Sequence, residues 1–160
     1  MRWYLVYTKP RQEKLALAHL TLQGYECYLP MRNCVKLRKR KLVVVNEPLF
    51  SRYLFIRLGN GSHDKNWVPI RSTVGVCELV RFGVRPAQAE DALIEKIKRR
   101  EEFSFSTPEP LPKPSEKTRY AERSTLGVEA VFQMHDGRER VLALIALLSK
   151  PTKREEALLL

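Results

Sequence analysis

One short stretch of this chain restricts its architecture more than any other. Over residues 103–116, proline stands at four alternate positions. Proline lacks a backbone N–H and fixes φ, so this spacing disfavours helix and sheet and favours an extended chain. We therefore predict two domains, 1–102 and 117–160, joined by a proline-rich linker over 103–116.

The positive charge of the chain is concentrated before that linker. Residues 1–102 hold 20 Lys and Arg against 10 Asp and Glu, whereas residues 103–160 hold 9 against 8. An excess of one sign on one domain is typical of proteins that bind polyanions, most simply nucleic acid, although a contribution to solubility explains it equally well.

The chain has no feature typical of membrane insertion or secretion. No apolar run approaches the roughly 20 residues that span a bilayer, and the first residues do not form a secretory signal. The three cysteines form no CxxC pair, which favours free thiols over disulfides. These observations predict a cytoplasmic protein without a membrane segment.

The first domain alternates strand-like and helix-like segments. Predicted strands are RWYLVYT, YECYLP, the two arms of CVKLRKRKLVVV, SRYLFIRL and VCELVRF. Predicted helices are RQEKLALAHLTLQ with Pro10 at its start and Gly24 after its end, HDKNWVPIRST, and a segment that follows Pro86, AQAEDALIEKIKRREE. Strands interrupted by a few helices, with an internal hairpin, predict an α+β fold with an antiparallel sheet and flanking helices.

The second domain leaves two alternatives open. Asp136-Gly137 is a hairpin signal between two apolar runs, yet the run VLALIALLSK is rich in the best helix formers. Periodicity alone does not assign short apolar runs. With fewer than about 50 residues, the domain needs a closed β-barrel or a partner surface to be stable.

Residue types that carry catalysis are scarce. The three histidines lie in three separate segments without metal-ligand spacing. Motifs for a nucleophile elbow, a phosphate-binding loop, a dinucleotide site or a zinc protease are missing from the sequence. We predict a protein that is not an enzyme and that has no cofactor and no metal site.

Surface features instead indicate binding. Period-2 alternation places Phe55 on the more polar face of its strand, beside Tyr53 and Arg57, unless the helix over 87–102 covers that face. A polar stripe with Gln12 and His19 on the first helix is either a solvated face or a surface for base edges and phosphates. The basic hairpin contains Arg38, Lys39, Arg40 and Lys41, which suit either DNA phosphates or protection of an edge strand.

In this order and spacing, the segments WYLVYTKPRQEKLALAHL, CYLP, EPLFSRYLFIRL and STVGVCELVRFG resemble the N-terminal domain of the NusG family. LGVEAVF followed by HDGRERV resembles the family's C-terminal KOW-containing segment, and the detail is most similar to the specialised RfaH-type branch with its plasmid-borne ActX-type members. The resemblance implies a monomeric transcription elongation and antitermination factor. The alternative is a general nucleic-acid-binding or ribosome-associated protein with a KOW-like tail.

The resemblance also implies two binding surfaces on the N-terminal domain. The positions that match contacts with the clamp helices of the largest RNA polymerase subunit are Tyr7, Phe55 and Ile94. The positions that match contacts with the non-template DNA strand are Lys9, Gln12, His19 and Thr73, with Arg71 as a further cation. The chain departs from the RfaH-type pattern at Leu15 and Val74, where that branch has arginines, and at the second polymerase contact, which aligns with 66–69.

In RfaH-type proteins the C-terminal segment is a helical hairpin that masks the polymerase site and refolds into a five-stranded KOW barrel on release. We accordingly predict a docked helical hairpin in the free chain. The expected docking residues are Phe132, Leu144, Leu147 and Leu148, and an ion pair between Glu47 and Arg140 is implied. A small-subunit ribosomal protein is the implied partner of the released segment.

Overall fold

A computed structural model describes residues 2–59, 67–106 and 127–149. The strands and helices, in chain order, are β1 (Arg2–Thr8), α1 (Glu13–Leu22), β2 (Glu26–Tyr28), β3 (Met31–Arg38), β4 (Lys41–Pro48), β5 (Tyr53–Leu58), α2 (Val68–Arg71), β6 (Val76–Leu79), β7 (Arg81–Phe82), β8 (Arg85–Pro86), β9 (Gln88–Ala89), α3 (Asp91–Ser106), α4 (Val128–Gln133) and α5 (Gly137–Ser149). The prolines of the predicted linker lie outside the described residues, and α3 continues four residues past the predicted domain boundary at 102.

Strand β1 is the centre of an antiparallel sheet with the order β2-β5-β1-β6, and β9 also pairs with β1. β5 pairs with β1 along its whole length, from Arg2 opposite Leu58 to Tyr7 opposite Tyr53. β3 and β4 form a separate hairpin, as do the short strands β7 and β8. The predicted α+β class, with an antiparallel sheet and flanking helices, is confirmed.

Both faces of the central strands are buried. Alternate residues of a strand point to opposite faces, so Tyr4 and Ile56 pack toward α1, whereas Leu5 and Phe55 pack toward α3. Every residue of β1 from Trp3 to Val6 is buried, because helices cover the sheet on both sides.

Two helix starts differ from the prediction. Helix α1 begins at Glu13 rather than Pro10, because Pro10 and Arg11 form a turn in which Arg11 has a φ of 60°. Helix α3 begins at Asp91 rather than just after Pro86, because the Ala87 N–H donates to the Val80 carbonyl in sheet-like pairing. Gly24 follows the end of α1 with a φ of 87°, as its predicted place after the helix end requires.

The helical alternative for the C-terminal segment is the one observed. Asp136 accepts a hydrogen bond from the Arg138 N–H at 2.9 Å, as an N-cap residue does, and Gly137 is the first residue of α5. The Asp-Gly pair therefore begins a helix instead of turning a β-hairpin. Helices α4 and α5 lie against the N-terminal domain on the α3 side of the sheet. No helix among the described residues is long and apolar enough to cross a membrane.

Candidate functional site

An apolar surface of the N-terminal domain forms the base of the site. It consists of Phe50, Phe55, Ile94 and Ile97, each with at most 2% of its surface exposed. The rings of Phe50 and Phe55 meet edge to face, with centroids 6.3 Å apart. Two of the three positions matched to polymerase contacts, Phe55 and Ile94, thus lie together on this apolar surface.

The third matched position, Tyr7, lies at the margin. Its ring is half-buried and stands 5.1 Å from the ring of Tyr53, which itself packs on the apolar surface. The guanidinium of Arg52 lies 4.2 Å from the centre of the Tyr7 ring. Tyr7 therefore contacts Tyr53 at the margin of the apolar surface.

The C-terminal helices cover the apolar surface. Phe132 and Leu144 are buried in the same cluster as Phe55 and Ile94, with 1% and 0% exposed, and Leu147 and Leu148 pack at its edge. The four residues predicted for docking thus all contact this cluster. Without α4 and α5, the surface would face solvent as a contiguous apolar patch, which soluble monomers usually reserve for a partner.

A second contact, which the sequence did not indicate, joins α3 to α4. The Arg100 Nε lies 2.9 Å from a carboxylate oxygen of Glu129. The same guanidinium stands 5.0 Å from the ring centres of Phe103 and Phe132. Arg100 thus packs its planar group on the docked aromatic ring as well as pairing with α4.

A polar latch of Arg32, Lys36, Glu47 and Arg140 holds the corner between α4 and α5. The predicted pair between Glu47 and Arg140 is present at 3.6 Å, but Glu47 is closer to Lys36, at 2.6 Å. The shorter bonds of Arg140 go to carbonyl oxygens, namely those of Leu49 at 2.7 Å, Met134 at 2.9 Å and His135 at 3.0 Å. Arg140 is therefore held mainly by backbone oxygens.

Burial and neighbouring charges shift the pKa values of two latch residues, Arg140 and Glu47. Burial, followed by repulsion from Arg32, lowers the pKa of Arg140 to about 10, and Glu47 opposes this only in part. Burial alone would raise the pKa of Glu47, but the hydrogen bond and charge of Lys36, with smaller effects of Cys34 and Arg140, hold it below its ordinary value. One carboxylate thus serves several cations.

Arg32 is a latch residue that the sequence analysis did not single out. Its side chain is buried, with 2% exposed, and its Nη1 donates to the Met134 carbonyl at 2.9 Å. The strand period could have placed Arg32 beside Glu47, its direct partner across the ladder, but could not have shown that Arg32 is buried. Directly opposed residues of an antiparallel pair share a face.

The residues matched to DNA contacts gather on another side of the domain. The Lys9 N–H donates to the Gly75 carbonyl at 2.9 Å, and the Gln23 side chain donates to the Thr73 hydroxyl at 2.8 Å. Gly75 has a φ of +86°, and a Cβ there would lie 3.0 Å from the backbone nitrogen of Ala16. Glycine thus lets the loop after α2 approach α1 closely.

Not all of these residues offer their side chains to a ligand. Lys9 and Arg71 are exposed, and Gln12 and His19 are half-buried. Thr73 is 6% exposed, and its hydroxyl donates to the Pro69 carbonyl at 2.8 Å while accepting from Gln23, so its contact with DNA stays a prediction. In this conformation Thr73 supports the loop instead of facing solvent.

The basic hairpin projects from the body. β3 and β4 are joined by a two-residue turn in which Lys39 and Arg40 have φ values of 50° and 63°. A turn of this kind normally requires residues such as Asn and Gly, so two cations at its tip are unusual. The four predicted cations of the turn, Arg38 to Lys41, are all exposed.

The described residues contain no group of three His, Cys, Asp or Glu side chains placed to hold a metal ion. Cys27, Cys34 and Cys77 are unpaired. Burial and the carboxylate of Glu47 raise the pKa of the Cys34 thiol, which keeps it protonated beside the latch.

Comparison with known proteins relates the first domain to one family. Residues 1–98 match the family described as "Transcription termination factor nusG". The transcription termination/antitermination protein NusG of Chlamydia pneumoniae is 28% identical over 99 residues, which cover 56% of this chain and 53% of the relative. The chain thus spans about half the length of that relative. A solved structure described as "Domain interaction in Thermotoga maritima NusG" is 21% identical, with a TM-score of 0.44 over 64% of this chain and 58% of that one.

Proposed function

This chain belongs to the NusG family of transcription termination and antitermination factors, and from that premise we propose that it is an elongation and antitermination factor that binds RNA polymerase. The observation that carries the proposal is the apolar surface around Phe55 and Ile94. Both residues have 0% of their surface exposed, and both share one cluster with Phe132 and Leu144 of the C-terminal helices. A surface that accepts a pair of helices from its own chain is suited to accept a pair of helices from a partner.

The proposed partner at this surface is the pair of clamp helices of the largest polymerase subunit. The clamp helices and α4–α5 would occupy the same apolar surface, so binding of one excludes the other. The free chain is therefore autoinhibited, and polymerase binding requires release of α4 and α5. Binding across the clamp would keep the polymerase in its processive state and reduce pausing and termination without any catalysis by this chain.

The proposed second contact is the non-template DNA strand of a paused complex. Lys9 and Arg71 supply exposed cations, and Gln12 and His19 supply hydrogen-bonding groups on the same side of the domain. Unstacked bases need only a few such groups beside a cationic surface. Leu15 and Val74 are exposed on this part of the domain, 41% and 54%, so the DNA element differs from one that arginines would select.

We further propose that the C-terminal segment is an RfaH-type switch. Helices α4 and α5 have 6 and 13 residues, and isolated helices of that length are marginal in water. Docking on the apolar surface supplies their missing stability, so release allows the segment to refold into a KOW barrel. The barrel would then offer a surface to a small-subunit ribosomal protein. Two packings within a few kcal/mol of each other are sufficient for such a switch.

A pull-down with core RNA polymerase tests the proposal. We expect Glu47→Ser to increase capture of polymerase in the absence of a DNA signal, because it removes the carboxylate of the latch. Adding Phe55→Ala to that variant should abolish the gain. Glu26→Ser, which removes a carboxylate that pairs with Arg57 away from the latch, is the matched control and should leave capture unchanged. Equal capture by wild type, Glu47→Ser and the double variant would contradict the proposal.

The basic hairpin favours a second candidate function, general binding of nucleic acid or association with the ribosome. Such a protein would bind nucleic acid through the turn cations and would not depend on Phe55. Neutralising Arg38, Lys39 and Arg40 tests their part in either function. We expect the salt dependence of complex formation to become weaker, because binding releases fewer counterions when fewer phosphates are contacted. An unaltered salt dependence would leave these cations with the role of protecting an edge strand.

A further inference from the structure

Arg32 is bound in a way that leaves most of its capacity unused. It is the largest fully buried side chain among the described residues. A guanidinium can donate five hydrogen bonds. Its Nη1 donates to the neutral carbonyl of Met134, and its Nε has no hydrogen-bond partner within the described residues. A buried cation held by one neutral acceptor is poorly satisfied.

The surroundings of Arg32 do not compensate its charge. Arg140 is a second buried cation nearby, and it also donates to the Met134 carbonyl, at 2.9 Å. The carboxylate of the latch, Glu47, is already held by Lys36 at 2.6 Å and by Arg140 at 3.6 Å. The docked state thus buries more positive than negative charge at this corner.

Arg32 also belongs to a row of cations that continues to the hairpin tip. Residues 32, 36 and 38 of β3 share one face by the period of the strand, and Lys41 is the cross-strand partner of Arg38 on that face. We refer to Arg32, Lys36, Arg38 and Lys41 as the cationic face of the hairpin. Arg38 and Lys41 are exposed, Lys36 is half-buried, and Arg32 is covered by the α4–α5 corner.

The spacing of this face suits a nucleic-acid backbone. Neighbouring residues on one face of a strand are two positions, about 6.6–6.8 Å, apart, which is close to the roughly 6.8 Å axial rise of two phosphates in one DNA strand. Guanidinium groups bind phosphate oxygens in a bidentate manner, which would satisfy the donors that Arg32 leaves unused. An anionic partner fits this face better than an apolar one.

We propose that Arg32 has two alternative partners, the Met134 carbonyl when the C-terminal helices are docked and a nucleic-acid phosphate when they are released. The inference rests on the proposed release of α4 and α5. It makes nucleic acid along the hairpin an effector that favours the released state, because phosphates complete their contact with the cationic face only after Met134 has left. Arg32 is then a positioning residue in one state and a binding residue in the other.

The test compares variants of the full-length chain by two measurements. Amide hydrogen exchange within 127–149 reports docking, and the salt dependence of binding to a short fluorescein-labelled DNA duplex reports phosphate contacts. Glu47→Ser should raise exchange several-fold without DNA, and the duplex should raise exchange in wild type. Arg32→Gln removes both the poorly compensated buried charge and the proposed phosphate contact, so the duplex should not raise its exchange. Arg38→Gln, a matched loss of one cation on the same face, keeps Arg32 and should still respond to saturating duplex.

The DNA measurement is made in the Glu47→Ser background, so that Arg32 is accessible. In that background, adding Arg32→Gln should make the negative slope of log K against log salt shallower by about 0.9, the change expected for the loss of one phosphate contact. An unchanged slope would overturn the phosphate contact. An effect of Arg32→Gln on binding to polyglutamate, measured in parallel, but not on binding to DNA would overturn it as well. If Glu47→Ser raises exchange but the duplex raises it equally in wild type and Arg32→Gln, or in neither, this inference fails while the proposed function stands. If Glu47→Ser does not raise exchange, the proposed autoinhibition fails.

Discussion

The two faces of the central sheet are buried in different ways. On the α1 side, the described residues of the core all belong to the first domain, among them Tyr4, Leu20 and Ile56. On the α3 side, the core is completed by Val131, Phe132 and Leu144 of the C-terminal helices. The first core therefore stabilises the first domain, whereas the second is shared between that domain and helices α4 and α5, which we call the cover.

This difference indicates which part of the molecule depends on the other. The sheet packs against α1 on one face and α3 on the other, and both helices begin within the first domain. Helices α4 and α5 are too short to be stable alone in water. We therefore expect loss of docking to leave the first domain folded, and loss of the first domain to melt the cover.

The largest expected effect is on the cover. Phe132→Ala removes a ring of which 1% is exposed, and truncation of a buried Phe costs about 3–5 kcal/mol. We expect this loss to fall on docking, because Phe132 contributes to no other core. Amide exchange in α4 and α5 should rise to that of an isolated segment while β1 and β5 stay protected.

Leu142→Ala is the matched control, since Leu142 lies on α5 and is 67% exposed. Amide exchange in α4 and α5 of Leu142→Ala should match that of wild type. Protected α5 amides in Phe132→Ala would mean that the cover is held by something other than the shared core.

The α1 side should respond differently to a similar truncation. Ile56 has 0% of its surface exposed, and replacing a buried Ile by Ala costs about 2–5 kcal/mol. Because the cluster around Ile56 belongs to the first domain, we expect the free energy of unfolding of the whole chain, measured in urea, to fall by that amount. Helices α4 and α5 should melt with the domain rather than before it.

Leu22→Ala serves as the reference for this measurement, because Leu22 is 82% exposed. Surface substitutions of this kind usually stay within about 0.5 kcal/mol of wild type. Equal urea midpoints for Ile56→Ala and Leu22→Ala would remove the distinction between the two cores.

A smaller effect is expected at the margin of the shared surface. Tyr7 contacts Tyr53 and Arg52 and is half-buried. In the Glu47→Ser background, we expect Tyr7→Ala to weaken polymerase binding by about 1–3 kcal/mol, the range for an interface aromatic. The thermal midpoint should change little. Unchanged affinity with a collapsed midpoint would place Tyr7 in the core instead of the interface.

The sequence predicted those features that depend on local patterns. Alternation in RWYLVYT and SRYLFIRL predicted β1 and β5, and Gly24 marked the end of α1. Helix starts at Glu13 and Asp91 were missed, because a turn and a sheet-like hydrogen bond compete with helix there and neither leaves a local pattern.

Within the candidate site, the limits have the same physical origin. The apolar residues Phe132 and Leu144 were predictable from resemblance and helical spacing. The burial of Arg32 was not, since it depends on a carbonyl 102 positions away. The hydrogen bonds of the Thr73 hydroxyl with Pro69 and Gln23 were likewise not predictable, because they form only when the end of α1 meets the loop after α2.

The smallest expected effect is a dependence of docking on pH. Although burial opposes it, Lys36, Cys34 and Arg140 together hold the pKa of Glu47 below its ordinary value near 4.5. A lowered carboxyl pKa stabilises the docked state above that ordinary value, and the contribution is lost as pH falls through the lowered pKa. The loss is small because Lys36 remains beside Glu47 after release, so only the effect of Arg140 disappears.

Helix signal from 127–149 in the full-length chain, followed by NMR from about pH 6 to about pH 3, measures this loss of docking. Wild type should lose docked helix as pH falls through this range, whereas Glu47→Gln, whose docking lacks this component at every pH, should change less. Glu101 has a raised pKa, chiefly from burial, and so acts in the opposite direction, but it is present in both chains and cancels in the comparison. Superimposable pH profiles for the two chains would show that Glu47 contributes no charge-dependent stability to the latch, and that the backbone bonds of Arg140 alone hold the shared face closed.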